Sequence, residues 1–327
     1  MQQDLNTRAL QTLRRAGVRI SGGGLDALAL ILPDSSTLIV RMKSYPVAPT
    51  PSAVENLVAS HKSKLLIATP RPTKSLVQAA HSGQVDLVGL SPESLIIDGT
   101  ELLLPQTGDT TLDPAAAQGK PAWGRYALIR SLLTATNPLK QRELAELCGT
   151  SQPAVVKNLK HLGNLVERTS QGWSSLDRER LLDLFLQTYP GPGGAVTYWY
   201  GLGSVHEQSR RASDFAAEVS ANPLASGDVA ADVYAPWRLP STATMYVSQM
   251  VDLGEAGFSP ATKSEATFLS VIPEDQSLWR TASPTIHDGF RLADPLLTLW
   301  ELAQATAPDS PDAVEHLQRA ILAGATQ

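Results

Sequence analysis

Residues 141–173, QRELAELCGTSQPAVVKNLKHLGNLVERTSQGW, carry the most informative pattern in the chain. Up to Leu147 the apolar residues fall on one face of a predicted helix, and Gly149 then supplies a tight turn. Ser151 is a typical N-cap for a second helix. Apolar residues recur along that helix at positions i, i+4 and i+7, which are Val155, Leu159 and Leu162. The stretch therefore predicts two helices that cross at a tight turn.

A hairpin is predicted after the second helix. Gly163 and Asn164 end the helix, residues 165–168 alternate like a strand, and residues 170–172 form a turn before a return strand begins at Trp173. Helix, turn, helix and hairpin in this order are typical of a winged helix-turn-helix, whose hairpin is the wing. Such a module binds double-stranded DNA, or it serves as a dimerisation or protein-docking element without nucleic acid.

The predicted DNA-binding surface is the outer face of the second helix together with the wing. Its residues are Ser151, Gln152, Pro153, Lys157, Lys160, His161, Arg168 and Gln171. With the helix in a major groove, we expect Lys157 and Lys160 to contact phosphate or guanine and Gln152 to meet a base edge. Arg168 is expected to contact the DNA backbone from the wing.

The composition indicates a folded protein of two or three domains. Of the 327 residues, 43% are hydrophobic and only 18% are charged, so disorder should not dominate. No charged segment followed by an apolar run opens the chain, and no stretch approaches the 18 apolar residues of a membrane span. We therefore expect a cytoplasmic protein with no membrane partner.

Cysteine and histidine are too sparse for a metal or disulfide framework. Cys148 is the single cysteine, which excludes an intrachain disulfide, and the six histidines form no cluster at zinc spacing. We predict no metal and no cofactor. Cys148 lies in the predicted turn, where a small buried residue is expected, and a redox-sensing thiol is the alternative.

Charge is distributed unevenly along the chain, although the net charge is −5. Residues 121–175 contain seven basic and three acidic groups, whereas residues 176–327 contain nine basic and 19 acidic groups. Positive charge is thus concentrated on the segment with the DNA-binding pattern. The acidic C-terminal part should face away from phosphates.

Residues 1–104 are predicted to form an α/β domain. A helix over residues 5–16 places Arg8, Arg14 and Arg15 on its outer face, and strands over 25–32 and 37–43 flank a turn at 33–36. Further strands at 64–69, 85–90 and 94–99 alternate with helices near 52–60 and 73–82, which indicates parallel strand pairs. The order helix, hairpin, helix, strand resembles the core of restriction-endonuclease-like proteins.

An active nuclease of that kind needs a metal-binding carboxylate and a lysine. Asp26 and Lys43 are the candidates, because Mg²⁺ takes oxygen ligands and a lysine stabilises charge on the phosphate. The position two before the lysine is Arg41, a cation where the metal requires an anion. We therefore interpret the domain as a degenerate nuclease fold, with metal-dependent cleavage as the alternative.

A linker is predicted at residues 105–122, a central domain at 123–190 with a trailing helix over 176–189, and a second α/β domain at 195–327. The last domain has predicted strands at 195–200, 228–234, 243–247 and 266–272 and helices near 295–300 and 311–322.

Gly203 and Ser204 follow its first strand, as in the phosphate-binding turn of nucleotidyltransferases. Those enzymes need two carboxylates one residue apart on the next strand, whereas Asp228 and Asp232 are four apart.

Four stretches resemble a bacterial group of large winged-helix regulators related to the type IV antitoxins of abortive-infection systems. They are residues 64–89, the helix-turn-helix, residues 200–204 and residues 288–296. The resemblance implies an endonuclease-like domain before the winged helix, a nucleotidyltransferase-like domain after it, sequence-specific DNA binding and repression of the protein's own operon. We expect a transcriptional regulator without catalytic residues. A toxin or other protein bound through the acidic C-terminal domain, and an enzyme using the carboxylates named above, are the alternatives.

Overall fold

The computed structural model describes residues 2–61, 63–104, 121–287, 289–305 and 309–326. Within these residues it contains two large β-sheets, a helical segment between them in the chain, and two small two-stranded sheets. The prediction of a mixed α/β protein is confirmed. Most of the predicted linker, residues 105–120, lies outside the described residues. Among the described helices, none is both long and apolar enough to cross a membrane.

The first sheet has seven strands within the described residues, and neighbouring strands follow one another in chain order. Its elements are α1 (Gln2–Arg15), β1 (Arg19–Gly22), β2 (Leu28–Ile31), β3 (Thr37–Ser44), α2 (Pro51–Ala59), β4 (Lys64–Thr69), α3 (Lys74–His81), β5 (Asp86–Leu90), β6 (Glu93–Ile97) and β7 (Thr100–Glu101). β3, β4 and β5 are parallel because α2 and α3 return the chain between them. The other neighbouring pairs are antiparallel.

The start of this sheet differs from the prediction. The strand predicted at 25–32 begins only at Leu28, and the sequence pattern missed β1 before it. A tight turn separates the two, in which Ala27 N donates to the Gly24 carbonyl at 2.9 Å. Gly23 has φ +89°, and a Cβ there would lie 1.9 Å from the Ala27 carbonyl oxygen, so only glycine fits. Asp26 consequently lies in a turn and not on a strand.

Helices dominate residues 123–188, which we call the central segment. Its elements are α4 (Trp123–Thr134), α5 (Gln141–Cys148), α6 (Gln152–Leu162), a 3₁₀ turn (Gly163–Leu165), β8 (Val166–Arg168), β9 (Trp173–Ser175) and α7 (Arg178–Thr188). The helices and the hairpin predicted for residues 141–173 are confirmed, and so is the trailing helix. α4 packs against α5, α6 and α7 and buries every residue from Tyr126 to Leu133.

The second sheet has five strands within the described residues, in the order β11, β12, β14, β10, β13. The elements of this part are β10 (Ala195–Tyr200), α8 (Val205–Glu218), β11 (Leu224–Ser226), α9 (Gly227–Tyr234), β12 (Ala243–Tyr246), β13 (Ser259–Pro260), β14 (Phe268–Ile272), α10 (Leu278–Thr281), β15 (Ile286–His287), β16 (Phe290–Arg291), α11 (Pro295–Gln304) and α12 (Ser310–Ala323). β12 and β14 are parallel, and the other pairs of this sheet are antiparallel.

The strand predicted at residues 228–234 is wrong, because these residues form α9. The strand is β11, which ends at Ser226. Gly227 has φ +63° and breaks the extended backbone. The residues that follow bury their side chains in a run, from Asp228 to Ala231 and again at Tyr234, where a half-buried strand would alternate.

α1 joins the two sheets, so the parts predicted as separate domains share one core. Leu5, Ala9, Leu10 and Leu13 belong to a hydrophobic cluster that continues through the central segment into the second sheet. Polar groups of the same helix bind the C-terminal part: Asn6 Nδ2 donates to the Gly194 carbonyl at 2.9 Å. A smaller cluster lies under α2 and α3 on the other side of the first sheet. The domain boundaries remain predictions.

Candidate nucleic-acid interface

α5 and α6 meet at a left-handed turn. α5 ends at Gly149, whose φ of +61° suits glycine, and Ser151 begins the next helix by accepting a hydrogen bond from Ala154 N at 3.4 Å. Gln141 Nε2 donates to the Gln152 carbonyl at 3.3 Å and ties the start of α5 to the start of α6. Below this turn the apolar faces of both helices are buried at Leu144, Ala145, Cys148, Val155, Leu159 and Leu162.

The opposite face of α6 is exposed and cationic, as predicted. Its exposed residues are Ser151, Gln152, Pro153, Lys157, Lys160 and His161. His161 Nδ1 lies 2.7 Å from the Lys157 carbonyl oxygen one turn earlier. Within the part of the chain that the structure describes, neither Lys157 nor Lys160 has a carboxylate partner. Two positive charges on this face are therefore left without a counter-charge from the protein.

The hairpin beside α6 places Arg168 and Gln171 on the surface. β8 and β9 pair with Arg168 opposite Trp173, and the Thr169 hydroxyl accepts from Gln171 N and Gly172 N, each at 3.2 Å. Leu139 extends the hairpin by exchanging two 2.8 Å backbone hydrogen bonds with Trp173. Both predicted side chains are exposed near the tip. All eight predicted site residues therefore lie at the surface of α6 or of the hairpin.

Arg130 lies on α4, which precedes α5 and α6 in the chain, and is completely buried. Its Nη2 donates to Asp275 Oδ2 at 3.0 Å and to Ser277 Oγ at 2.6 Å, and its Nη1 lies 3.6 Å from Asp294 Oδ2. The Tyr189 hydroxyl donates to the same Asp275 oxygen at 3.3 Å. Burial acts to lower the pKa of Arg130, but Asp275 and Asp294 outweigh it and raise the pKa above its ordinary value. A buried charge network thus fixes the central segment to the C-terminal part.

Arg280 adds a cation that the sequence pattern does not reveal. It is exposed at the end of α10, and its guanidinium covers the α5–α6 turn: a Cβ at Gly149 would lie 3.0 Å from its Nε. Nη1 donates a long hydrogen bond of 3.5 Å to the Glu146 carbonyl. Arg142 and Gln152 line the same shallow concavity. No local signal links residue 280 to a turn 130 positions earlier, so only the fold brings them together.

Cys148 has the properties of a packed side chain. It is buried at the end of α5, and burial raises the pKa of its thiol to about 12. Only the thiolate reacts with oxidants, and it is scarce at neutral pH for such a thiol. The structure therefore favours a buried packing role for Cys148, as the sequence predicts, over a role as a redox sensor.

The predicted nuclease residues do not form a metal site. Arg41 Nε lies 3.6 Å from Asp26 Oδ1, and the Asp26 side chain is 85% exposed in its turn. A cation thus accompanies the carboxylate that would have to bind Mg²⁺. Among the described residues, no group of three or more histidine, cysteine, aspartate or glutamate side chains is arranged to hold a metal ion.

The residues considered for nucleotide transfer are occupied within the protein. Ser204 caps α8 and exchanges hydrogen bonds with Glu207. Asp228 accepts from Arg238 Nη2 and from Ser241 N, each at 3.0 Å, and Asp232 lies 3.1 Å from His206 Nε2. Both aspartates lie on the helix α9 and not on the strand predicted there.

Comparison with known proteins gives no relative. No protein family, no curated protein and no solved structure matches this chain.

Proposed function

We propose that the protein is a sequence-specific transcriptional regulator that binds double-stranded DNA, and that the central segment is a winged helix-turn-helix. The observation that carries the proposal is the exposed face of α6. Lys157 and Lys160 project there without a carboxylate partner among the described residues, beside a hairpin that carries Arg168. A helix that lies in a major groove brings such unpaired cations close to the phosphates on either side of the groove, where they bind.

The chemistry of each exposed side chain indicates which part of the DNA it contacts. Gln152, in the first turn of α6, has the amide needed for a bidentate contact to adenine. Lys157 and Lys160 lie further along the helix, where a flexible point charge suits phosphate or guanine. Ser151, Pro153, His161 and Gln171 complete the surface by shape and by hydrogen bonding, and Arg168 contacts the backbone from the wing.

Arg280 extends this surface from outside the central segment. It covers the turn before α6, and among the described residues no carboxylate pairs with it. A guanidinium beside the start of a recognition helix suits a DNA phosphate, which the helix dipole also attracts. We assign Arg280 the role of a phosphate contact that sets register without reading sequence.

The flanking parts support a regulator without catalysis. Arg41 stands beside Asp26, and internal hydrogen bonds occupy Ser204, Asp228 and Asp232. In our proposal these parts have a degenerate endonuclease-like and a nucleotidyltransferase-like fold in a bacterial cytoplasmic protein. The resemblance to antitoxins supports repression of its own operon, with the acidic C-terminal part as the surface for a toxin or other protein.

A mobility-shift titration of the full-length protein tests the proposal. Labelled DNA from upstream of its own gene is titrated at moderate salt with excess unrelated duplex present. The expected result is a discrete complex that survives the competitor. Loss of the complex at every competitor ratio would contradict sequence-specific binding.

Incubation of the same protein with plasmid and Mg²⁺ or Mn²⁺ tests the nuclease alternative. Cleavage abolished by Asp26→Ala would overturn the assignment as a non-enzyme.

A further inference from the structure

A groove of about 1010 Å³ lies between α1, β10 and the loop over residues 260–265. The N-terminal helix forms one wall and the edge of the C-terminal sheet forms the other, so the groove lies at the junction of the two sheets. It involves no residue of the central segment. Any ligand it takes is therefore separate from DNA bound by α6.

Basic side chains line the groove from both walls. Arg8, Arg14 and Arg15 project from α1, and Lys263 approaches from the opposite loop. Arg8 and Arg15 are seven residues apart, which places them on one stripe of the helix separated by about 10 Å. This separation suits a molecule with several anionic groups in a row better than a single small anion.

The acidic residues of the groove are mostly engaged with other groups. Arg15 forms an ion pair with Glu93. Glu265 accepts hydrogen bonds from Thr262 N at 3.2 Å and from Thr262 Oγ1 at 2.6 Å. Asp4 is exposed at the edge. Within the described part of the chain, Arg8, Arg14 and Lys263 have neither a hydrogen bond nor an ion pair.

Arg14 is the most unusual of these cations. Its guanidinium lies 4.4 Å from the ring centre of Trp199, which is itself fully buried. The carboxylate that acts on it electrostatically, Asp252, is bound to Arg19 at 3.2 Å. Burial lowers the pKa of Arg14 to about 10. Partly buried charges are normally paired, because desolvation of an unpaired ion is unfavourable.

We propose that this groove binds a small molecule that carries two or more adjacent phosphate groups, as in a nucleoside triphosphate. Arg14 is the inner contact, and Arg8 and Lys263 hold the phosphates from the two walls. Guanidinium groups form bidentate hydrogen bonds with phosphate oxygens, and the groove is larger than a single phosphate needs. Binding links α1 to the second sheet, so the ligand stabilises the contact between the N- and C-terminal parts.

Isothermal titration calorimetry of the full-length protein tests the proposal at about 150 mM salt, where exposed charges are screened. The probes are inorganic triphosphate, ATP, inorganic phosphate and citrate. We expect one saturable site for triphosphate and ATP and much weaker binding of single phosphate. Equal affinity for triphosphate and ATP assigns recognition to the phosphates, and tighter ATP binding adds the nucleoside to it. Citrate that binds as tightly as triphosphate would overturn the assignment to phosphate.

Variants locate the site. Arg14→Gln should weaken triphosphate binding by about tenfold or more, because a hydrogen bond to a charged group is lost. Arg8→Gln and Lys263→Gln should each weaken it several-fold, and they decide the question if Arg14→Gln fails to fold. Arg319→Gln, an exposed arginine on α12 that does not line the groove, is the matched control and should bind normally.

The absence of saturable triphosphate binding would contradict the proposal. Unchanged affinity in both Arg8→Gln and Lys263→Gln would also contradict it. A Lys157→Ala/Lys160→Ala variant should bind triphosphate like the wild type. If its affinity falls instead, the anion binds the proposed DNA surface and not the groove. The outcome is independent of DNA binding itself, so either proposal can fail alone.

Discussion

The central segment uses positive charge in two opposite ways. Lys157 and Lys160 are exposed on α6 without partners among the described residues, whereas Arg130 on α4 is fully buried between Asp275 and Asp294. A cation can act on a ligand only where the fold leaves its charge without a counter-charge. Arg130 therefore stabilises the attachment of the segment, and the two lysines form its candidate binding surface.

The largest expected effect comes from breaking the buried network. Arg130→Met should lower the free energy of unfolding by about 3–5 kcal/mol, because Asp275 and Asp294 would remain buried without a counter-charge. Urea denaturation followed by tryptophan fluorescence measures it. Arg180→Gln, whose side chain is 65% exposed on α7, is the control and should change stability by less than about 0.5 kcal/mol. A loss below about 1 kcal/mol in Arg130→Met would contradict the stabilising role.

Base recognition by α6 should give the next largest effect. Gln152→Ala should reduce the preference for the operator over a site with one changed base pair by about 1–3 kcal/mol, since a bidentate amide contact is lost. Competition titrations with the two duplexes give this difference. Binding to unrelated DNA should hardly change. Gln187→Ala, exposed on α7, is the control, and an unchanged preference in Gln152→Ala would remove the assigned role.

Arg280 should behave as a phosphate contact, with a smaller effect. Arg280→Gln should weaken DNA binding about threefold to tenfold, reduce the salt dependence by about one unit and leave the base preference intact. Arg319→Gln, an exposed arginine on α12 paired with Glu315, is the control. Binding that is equally tight and equally salt-dependent in Arg280→Gln would restrict the interface to the central segment.

Asp86 offers an intermediate case, a buried carboxylate with one backbone hydrogen bond and one ion pair. Its Oδ1 accepts from Asp98 N at 2.8 Å and lies 3.4 Å from Lys64 Nζ. Burial raises the pKa of Asp86 above 3.8, although these contacts oppose it. The folded state then holds the proton more tightly than the unfolded chain, so stability falls as the pH rises from the ordinary pKa through the raised one.

Asp86→Asn should remove the decrease in stability with rising pH. The free energy of unfolding of the variant minus that of the wild type should therefore be larger at about pH 7 than at about pH 4. Urea denaturation at both pH values measures the difference. We expect it to be smaller than the effect of Arg130→Met, and a difference that is the same at both pH values would show that the Asp86 proton plays no part.

The sequence predicts helices and strands well where the apolar residues follow a single clear periodicity. β4 and β10 begin and end at the predicted residues, and α6 shows the predicted face because Val155, Leu159 and Leu162 fix which side is buried. α9 fails because its apolar residues are compatible with either period, and a glycine with positive φ decides between them.

Long-range packing sets the limit of prediction from sequence. Arg14 was expected on an outer face, but the second sheet folds over α1 and places Trp199 against it. Arg130 lies in an apolar helix that gives no sign of Asp275, and Arg280 reaches the candidate site from 130 residues away. The exposed position of the eight predicted site residues could be predicted because they lie close together in the chain. The burial of Arg130 and the position of Arg280 depend on tertiary contacts.

The salt dependence of DNA binding, measured for the wild type and for the Lys157→Ala/Lys160→Ala variant, shows whether α6 is the DNA-binding surface. Fluorescence anisotropy with the upstream duplex at several salt concentrations gives the slope of log Kd against log salt. If both lysines contact phosphate, the slope should fall by about two units while the stability stays unchanged. Identical slopes and affinities for the two proteins would contradict the proposal that α6 is the DNA-binding surface.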